Sequence, residues 1–415
     1  MQSTRNSPSG NLSAIQENAM TVIRTLVILS LLVSTLATPH LSAQTVRIGL
    51  LTTTSGPSAV VGELIDRGIK LYMKQNADKL PPGVKVELIV RDDGGPNPDK
   101  ARQLAQELIF RDKVQLLTGF NWSPNAMAIA PLATEAKVPM LVMMAAASVL
   151  PTRSPYIARF SFTMWQSAYP MGEWAAKRYK RAYISVSDFV GGYDAEEAFE
   201  KAFTAGGGEI IGKVRVPLVN PDFVPFMQRV KDAKPDVLFA QAISAGQSTQ
   251  IMKAYADLGL DKAGIRFIGP GDLTSDDQLP NMGDAPLGLI TMHHYSAAAD
   301  RPANRAFVAA WKREFGEKLM PNFQAVAAWD TMDAIYQVIR EQNGVIDPDR
   351  TMAILKQYKN PDSPRGPISI DPETRDIVQN QYLREVRRVN GQLANVELET
   401  IPYVKDYWRE LNQKR

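Results

Sequence analysis

An α/β fold of two Rossmann-like lobes is what this sequence predicts, and three observations predict it. From Gln44 onward apolar strands alternate with amphipathic helices, which argues for parallel sheets covered on both faces. The alternation runs through one series, breaks into an irregular stretch, and starts again near Trp165. The chain has 415 residues, 45% hydrophobic and 22% charged. At roughly 150 residues per domain, that length suits two domains, or three.

Each element has its own signal. Residues 46–51 form an apolar strand, and the turn Thr54-Ser55-Gly56-Pro57-Ser58 leads into a helix. Val61, Leu64, Ile65, Gly68 and Tyr72 share one face of that helix at the i, i+3, i+4 spacing. A strand at 85–90 ends in Asp92-Asp93-Gly94-Gly95-Pro96, and a helix follows over 98–111. The strand at 114–118 leads to a helix over 123–137, and a strand at 140–144 closes the first series. The chain is then irregular as far as Arg159. In the second series, helices at 165–179, 193–205 (after a loop over 187–192), 222–232 and 246–258 are interleaved with strands at 182–186, 209–216, 237–240 and 265–268, and a strand at 289–292 follows. Two long helices, 302–315 and 322–340, arrive with no strand between them, so they must pack on a sheet already built. A short helix at 348–358, the run Gly366-Pro367-Ile368-Ser369-Ile370, and strands at 381–389 and 401–404 complete the chain. With the first lobe hosting the long helices, lobe 1 is expected over 45–162 and 297–370, and lobe 2 over 163–296 and 371–415.

Composition excludes several functions. The net charge is +3, from 47 basic and 44 acidic residues, and no run of like charge is long enough to form a nucleic-acid arm. Without cysteine the chain has no disulfide, thiolate metal site or cysteine nucleophile. The compartment is read from the N-terminus. Met20-Thr21-Val22-Ile23-Arg24 is a short basic start, residues 26–36 are apolar, and residues 37–43 end in small side chains. This is the pattern of a secretory signal, whose apolar core is typically ~7–15 residues; a spanning helix needs about 20. Residues 1–43 are therefore read as a signal peptide cleaved after Ala43, with Met20 as the true start, and the mature protein as exported. N-terminal sequencing of exported protein is expected to begin close to Gln44. Cytoplasmic material that keeps residues 1–19 would overturn both readings.

One stretch organises the functional reading. The strand at 114–118 ends in Gly119, and Phe120-Asn121-Trp122 leads to Ser123-Pro124 at the start of a helix. Serine is a good N-cap, and proline fits the next position. The loop tip then offers a hydroxyl and free amides at the positive end of a helix, a setting for a carboxylate. It also lies at the carboxyl end of a parallel strand, where open α/β sheets bind ligands. The plainer alternative is an ordinary capped turn, with Trp122 packing the loop.

Catalytic patterns fail. Residues 207–213 read Gly-x-x-x-x-Gly-Lys, but Val214 stands where a magnesium-holding hydroxyl is needed, and the order is helix–loop–strand. His293 and His294 are adjacent on a strand and are expected to point to opposite faces, so they cannot chelate one metal together. They read as strand-end or hinge-adjacent side chains. Asp92, Asp93 and Asp99 lack the spacing of a calcium loop and read as turn and cap residues. No enzyme, metal or cofactor is expected.

Against this background the chain resembles the branched-chain amino-acid, or Leu/Ile/Val-binding, type of periplasmic solute-binding protein. The likeness rests on Gly49-Leu50-Leu51-Thr52, Ser55-Gly56-Pro57, Gly62, Val90-Arg91-Asp92-Asp93 with Pro98, Leu117-Thr118-Gly119, Lys137-Val138-Pro139 and Ser154-Pro155-Tyr156. It continues through Pro221-Asp222-Phe223, Lys234-Pro235-Asp236-Val237 and Gly366-Pro367-Ile368, and so covers residues 45–390. The resemblance implies a type I periplasmic-binding-protein fold, two lobes joined by a three-stranded hinge, with a solute trapped between them. It implies delivery to the permease and ATPase of an ABC importer by a monomeric protein in the periplasm. Carried over position by position, it implies Ser123 at the ligand carboxylate and Ala146 to Ser148 after the fourth strand, with Ser148 replacing threonine. Phe189 or Tyr193 stands in for a family tyrosine, and Asp272, beside Gly271, for the family's acidic partner of an ammonium. Val61 replaces an aromatic residue. These departures weaken the case for a plain branched-chain amino acid, and Trp122 with Phe120 suits an aromatic or larger apolar carboxylate. A periplasmic sensor component and an enzyme on the same fold are the alternative functions.

Overall fold

The computed structural model describes residue 2 and residues 44–242 and 245–412; residues 3–43, on which the signal-peptide reading and the Met20 start rest, lie outside the described residues. The first sheet is built from β1 (Gln44–Thr52), β2 (Val84–Asp92), β3 (Leu116–Gly119), β4 (Met140–Val142) and β5 (Ile157–Arg159). Its order is β2-β1-β3-β4-β5, and all its pairings are parallel. Between the strands run α1 (Ala59–Gln75), α2 (Pro98–Gln106) and α3 (Ser123–Ala136). Ile48, Leu50 and Leu51 are fully buried in succession along β1, as in a strand covered on both faces. Ile48 and Leu50 pack with Ile65 and Tyr72 of α1, whereas Leu51 packs with Ala101 and Ala105 of α2 on the opposite face.

A second parallel set repeats the plan. It contains β6 (Arg181–Ser187), β7 (Glu209–Val216), β8 (Val237–Ala240), β9 (Arg266–Pro270) and β10 (Ile290–His293) in the order β7-β6-β8-β9-β10. Its helices are α4 (Met164–Ala176), α5 (Val190–Ala205), α6 (Val224–Ala233) and α7 (Ala245–Asp257). Thr163 starts α4 with a reciprocal capping box to Gln166.

The long helices α8 (Pro302–Phe315) and α9 (Phe323–Glu341) have no strand between them. α9 lies along α1 because Gly68 lets the two backbones meet: a Cβ there would come 2.5 Å from the carbonyl oxygen of Ala325. Tyr72 of α1 then packs edge-on against Trp329 and Tyr336, with ring centroids 5.0 and 5.1 Å away. The chain ends with α10 (Pro348–Leu355), β11 (Lys359–Asn360), β12 (Ile368–Ile370), β13 (Ile377–Val389), β14 (Gln392–Val404) and α11 (Tyr407–Asn412). β13 begins in the core of the first sheet, where Ile377 packs with Ile48 and Leu141, and farther along it pairs antiparallel with β10 of the second. Residues 160–163 and 294–301 make the other two connections between the sheets.

Three differences from the sequence reading have local causes. β5 falls in the stretch read as irregular; at three residues it is too short for a periodic signal. β14 starts at Gln392 rather than near 401, because Asn390 and Gly391 take positive φ (50° and 81°) and close a hairpin with β13. α5 starts at Val190, so Gly191 and Gly192 lie in its first turn rather than in a loop. Among the described residues no helix is long and apolar enough to cross a membrane.

Candidate ligand-binding cleft

The loop after β3 turns sharply at Gly119, whose φ of +99° and whose approach to the carbonyl of Leu51 leave no room for a Cβ (2.3 Å). Phe120 is fully buried in the core with Leu51 and Leu117, away from the cleft. Trp122, not Ser123, is the N-cap of α3, and no side chain caps the helix. Ser123 stands one position inside, and its Oγ accepts from the Ala147 amide at 3.1 Å. The hydroxyl thus ties α3 to the loop after β4 and keeps its own proton for another acceptor. Trp122 is fixed by its Nε1, which donates to Thr53 Oγ1 at 2.9 Å, and Thr53 donates in turn to Asp93 at 2.6 Å. Asp92 and Asp93 serve the turn before Pro96, accepting from the amides of Gly94 and Gly95, while Asn97 caps α2.

A pocket opens between the two sheets at this loop. From the first sheet it is walled by Asn121, Trp122, Ser123, Met144 and Ala146. Phe162 and Met164 line it from the first connection and α4, and Phe189, Gly191, Gln241 and Asp272 from the second sheet. All these second-sheet residues except Gly191 sit just beyond the carboxyl ends of β6, β8 and β9, where an α/β sheet presents a ligand site.

The remaining sequence-predicted residues lie elsewhere. Ser148 is fully buried off the pocket wall: its amide donates to Asp194 Oδ2 at 2.9 Å, and its Oγ to Asp406 Oδ1 at 3.1 Å. Tyr193 is turned outward on α5, donating to Asp188 at 2.6 Å beneath the Arg215 guanidinium, whose carbon lies 4.2 Å from the ring centroid. Val61 packs against the first-sheet core. His293 and His294 do not diverge to opposite faces. β10 ends at His293, and the two rings lie 4.2 Å apart, both against Phe162 behind the pocket. Burial holds both imidazoles well below their usual pKa, with the Arg384 and Arg365 charges adding to it.

Six wall residues escaped the sequence reading: Asn121, Met144, Phe162, Met164, Gly191 and Gln241. Gln241 carried a usable signal, a polar side chain directly after a buried strand. Its Oε1 accepts from the Ser187 amide at 3.2 Å, whereas Nε2 is buried without a partner. Asn121 Oδ1 accepts from Thr52 Oγ1 at 3.0 Å, and its Nδ2 is likewise unpartnered. Asp272 is half-buried as a residue, but its Oδ1 is sealed and unpartnered. Burial pushes its carboxyl up to about 6, opposed by its own amide and by Arg384. Buried polar atoms are normally satisfied, so these wall groups suit an incoming polar ligand. Among the described residues no group of three or more His, Asp or Glu side chains could hold a metal.

The sequence model of the family described as "Periplasmic binding protein" matches residues 45–392, nearly the whole described chain. The chain belongs to the periplasmic binding protein family. Among curated members of the family, Leu/Ile/Val-binding protein homolog 6 of Brucella melitensis is 40% identical over 380 residues, covering 91% of this chain and 97% of that one. A solved solute-binding protein of an ABC transporter from Rhodopseudomonas palustris BisB5, in complex with 3,4-dihydroxybenzoic acid, is 49% identical with a TM-score of 0.84. Its counterpart from R. palustris HaA2, in complex with p-hydroxybenzoic acid, is 43% identical with a TM-score of 0.85. Both alignments cover 88% of this chain and 99% of the other. A leucine-binding protein from Thermotoga maritima, 22% identical with a TM-score of 0.75, shares the type I fold. This periplasmic binding protein therefore has the two-sheet scaffold of ABC-transporter solute-binding proteins, and its pocket lies between the sheets.

Proposed function

We propose that the protein captures an aromatic carboxylic acid between its lobes in the periplasm and delivers it, as a monomer, to the permease and ATPase of an ABC importer of the branched-chain amino-acid class. The lobes are taken as 45–162 with 297–370 and 163–296 with 371–415. The wall composition carries this reading. Trp122, Phe162 and Phe189 with Met144 and Met164 offer flat, polarisable apolar surface, while Ser123 and Asn121 offer donors at one end. The hydroxybenzoate complexes of the R. palustris proteins support it. Closure is favoured by ligand because only the closed form contacts it from both sides.

Isothermal titration calorimetry with benzoate, 4-hydroxybenzoate and 3,4-dihydroxybenzoate tests the reading; no heat of binding with any of the three would overturn it. Substituting Ser123 by Ala is expected to remove a hydrogen bond to the carboxylate, a loss of about 1.5–3 kcal/mol. The same titration would read this as roughly ten- to hundredfold weaker affinity. An unchanged affinity would reduce the loop to a structural tie.

A second reading is an α-amino acid, because Asp272 lies on the pocket wall and a buried ammonium needs an acidic partner. The Leu/Ile/Val-binding name of the Brucella relative also favours it. Titration with leucine separates the two.

A further inference from the structure

We propose that Gln241 and Asp272 together read a ring hydroxyl, so that the pocket selects hydroxylated aromatic acids over their unsubstituted counterparts; the inference rests on the aromatic-acid reading above. The two residues come from neighbouring strand ends. β8 and β9 pair in parallel with Phe239 opposite Ile268, which brings the segments leaving both strands to the same edge of the sheet. Both residues wall the pocket.

Their free valences are complementary. An amide side chain can be turned either way, but at Gln241 the orientation is fixed, because a backbone N–H, that of Ser187, needs an acceptor and takes Oε1. The unpartnered atom is therefore Nε2, a donor. At Asp272 the unpartnered atom is Oδ1, an acceptor in the ionised carboxylate. The pair thus asks for a group that accepts one hydrogen bond and donates another. A hydroxyl does both through one oxygen. An ammonium only donates and would leave Gln241 Nε2 facing a cation. A carboxylate only accepts and would be repelled by Asp272. A bare ring edge answers neither atom and leaves both buried and unpaired.

The opposite pole completes the argument. Ser123 and Asn121 stand beyond β3 in the first sheet, and the Gln241–Asp272 pair stands beyond β8 and β9 in the second. A ring carrying a carboxylate at one position and a hydroxyl away from it can engage both sets at once. The hydroxyl then becomes part of what holds the lobes together, not only part of what fits.

The test compares benzoate, 4-hydroxybenzoate and 3,4-dihydroxybenzoate by calorimetry on the wild-type protein and on Asp272→Leu and Gln241→Glu. The wild type is expected to bind at least one hydroxylated acid about ten- to a hundredfold more tightly than benzoate. In Asp272→Leu that ratio is expected to fall towards one while benzoate affinity holds or improves. In Gln241→Glu the hydroxylated acids are expected to weaken more than benzoate. Equal wild-type affinity for benzoate and both hydroxylated acids overturns the inference while leaving the aromatic-acid reading standing, and this comparison needs no variant to fold. An unchanged ratio in Asp272→Leu of intact melting behaviour overturns it as well. Binding of none of the three acids overturns the aromatic-acid reading itself, and the hydroxyl reading with it.

Discussion

Replacing Arg365 by Met is expected to destabilise the protein by about 3–5 kcal/mol, the usual cost of breaking a buried ion pair from one side. Arg365 is 1% exposed and Asp330 of α9 fully buried. Nε donates to Asp330 Oδ2 at 2.7 Å, and Nη1 donates to the carbonyl of Ser161 at 3.0 Å and to Gln379 Oε1 at 2.9 Å. Nη2 donates to the carbonyl of Phe160 at 2.8 Å. One guanidinium therefore ties α9, the first connection between the sheets and β13. Methionine fills much of the volume but takes the countercharge from Asp330, which keeps only the Ser363 hydroxyl, and the guanidinium donor from the Phe160 carbonyl, while the Ser161 carbonyl keeps Gln379 Nε2. The denaturant midpoint should fall accordingly. Adding Asp330→Leu should restore part of the loss, because the pair's worth lies in mutual compensation. A single variant as stable as the parent would show that the connection is held by its apolar packing alone.

The alternating architecture was legible because its strands are buried runs of apolar residues. The 46–51 and 237–240 segments read directly from such runs, and both were found within two residues at each end. What was missed lay below the resolution of periodicity. β5 has three residues, and its pairing with β4 is decided by tertiary contact, not by local preference. The β13–β14 hairpin did carry a signal, Asn390-Gly391. The residues after it do alternate, as in Val396-Glu397-Leu398-Glu399, but most of them are exposed or half-exposed and no continuous buried apolar run marks the strand.

The cleft was half legible. Strand-end position together with the family resemblance placed Ser123, Trp122, Ala146, Phe189 and Asp272 on its wall. The physical reason given for Ser123 did not hold: its hydroxyl accepts from Ala147 instead of capping α3. Tyr193 was displaced by the register of α5. Once the helix starts at Val190, each residue advances about 100° around the axis, and Tyr193 emerges beside Arg215. Ser148 was displaced because the loop after β4 is held by Asp194 and Asp406, neither adjacent in sequence. Long-range ties of this kind leave no mark in a local pattern.

The tie at Asp406 gives the second large effect: Asp406→Asn is expected to stabilise the protein at pH 8 by on the order of 2 kcal/mol. Asp406 is buried before α11, and its Oδ1 accepts from Ser148 Oγ, Thr163 Oγ1 and the Trp408 amide at 3.1, 3.2 and 3.2 Å. Oδ2 has no partner. Burial, and next the charge of Asp376, push the carboxyl up to about 7, against the opposing pull of Arg159 and the Ser148 hydrogen bond. The folded-state pKa therefore lies above the unfolded value of about 3.9. The native state holds this proton more tightly than the unfolded chain does. The group's contribution is complete below about pH 4, declines as pH rises, and is fully lost above pH 7. At 1.36 kcal/mol per unit, three units bound the loss at about 4 kcal/mol, and relaxation around Asp376 and Arg159 reduces it. Asparagine keeps the Oδ1 acceptor for Ser148 and Thr163 and carries no charge, so it removes the cost without removing the tie. Denaturant midpoints of parent and variant should separate at pH 8 and converge near pH 4. A difference that stays constant across that range would mean that the gain comes from packing and that Asp406 is not the strained charge of this interface.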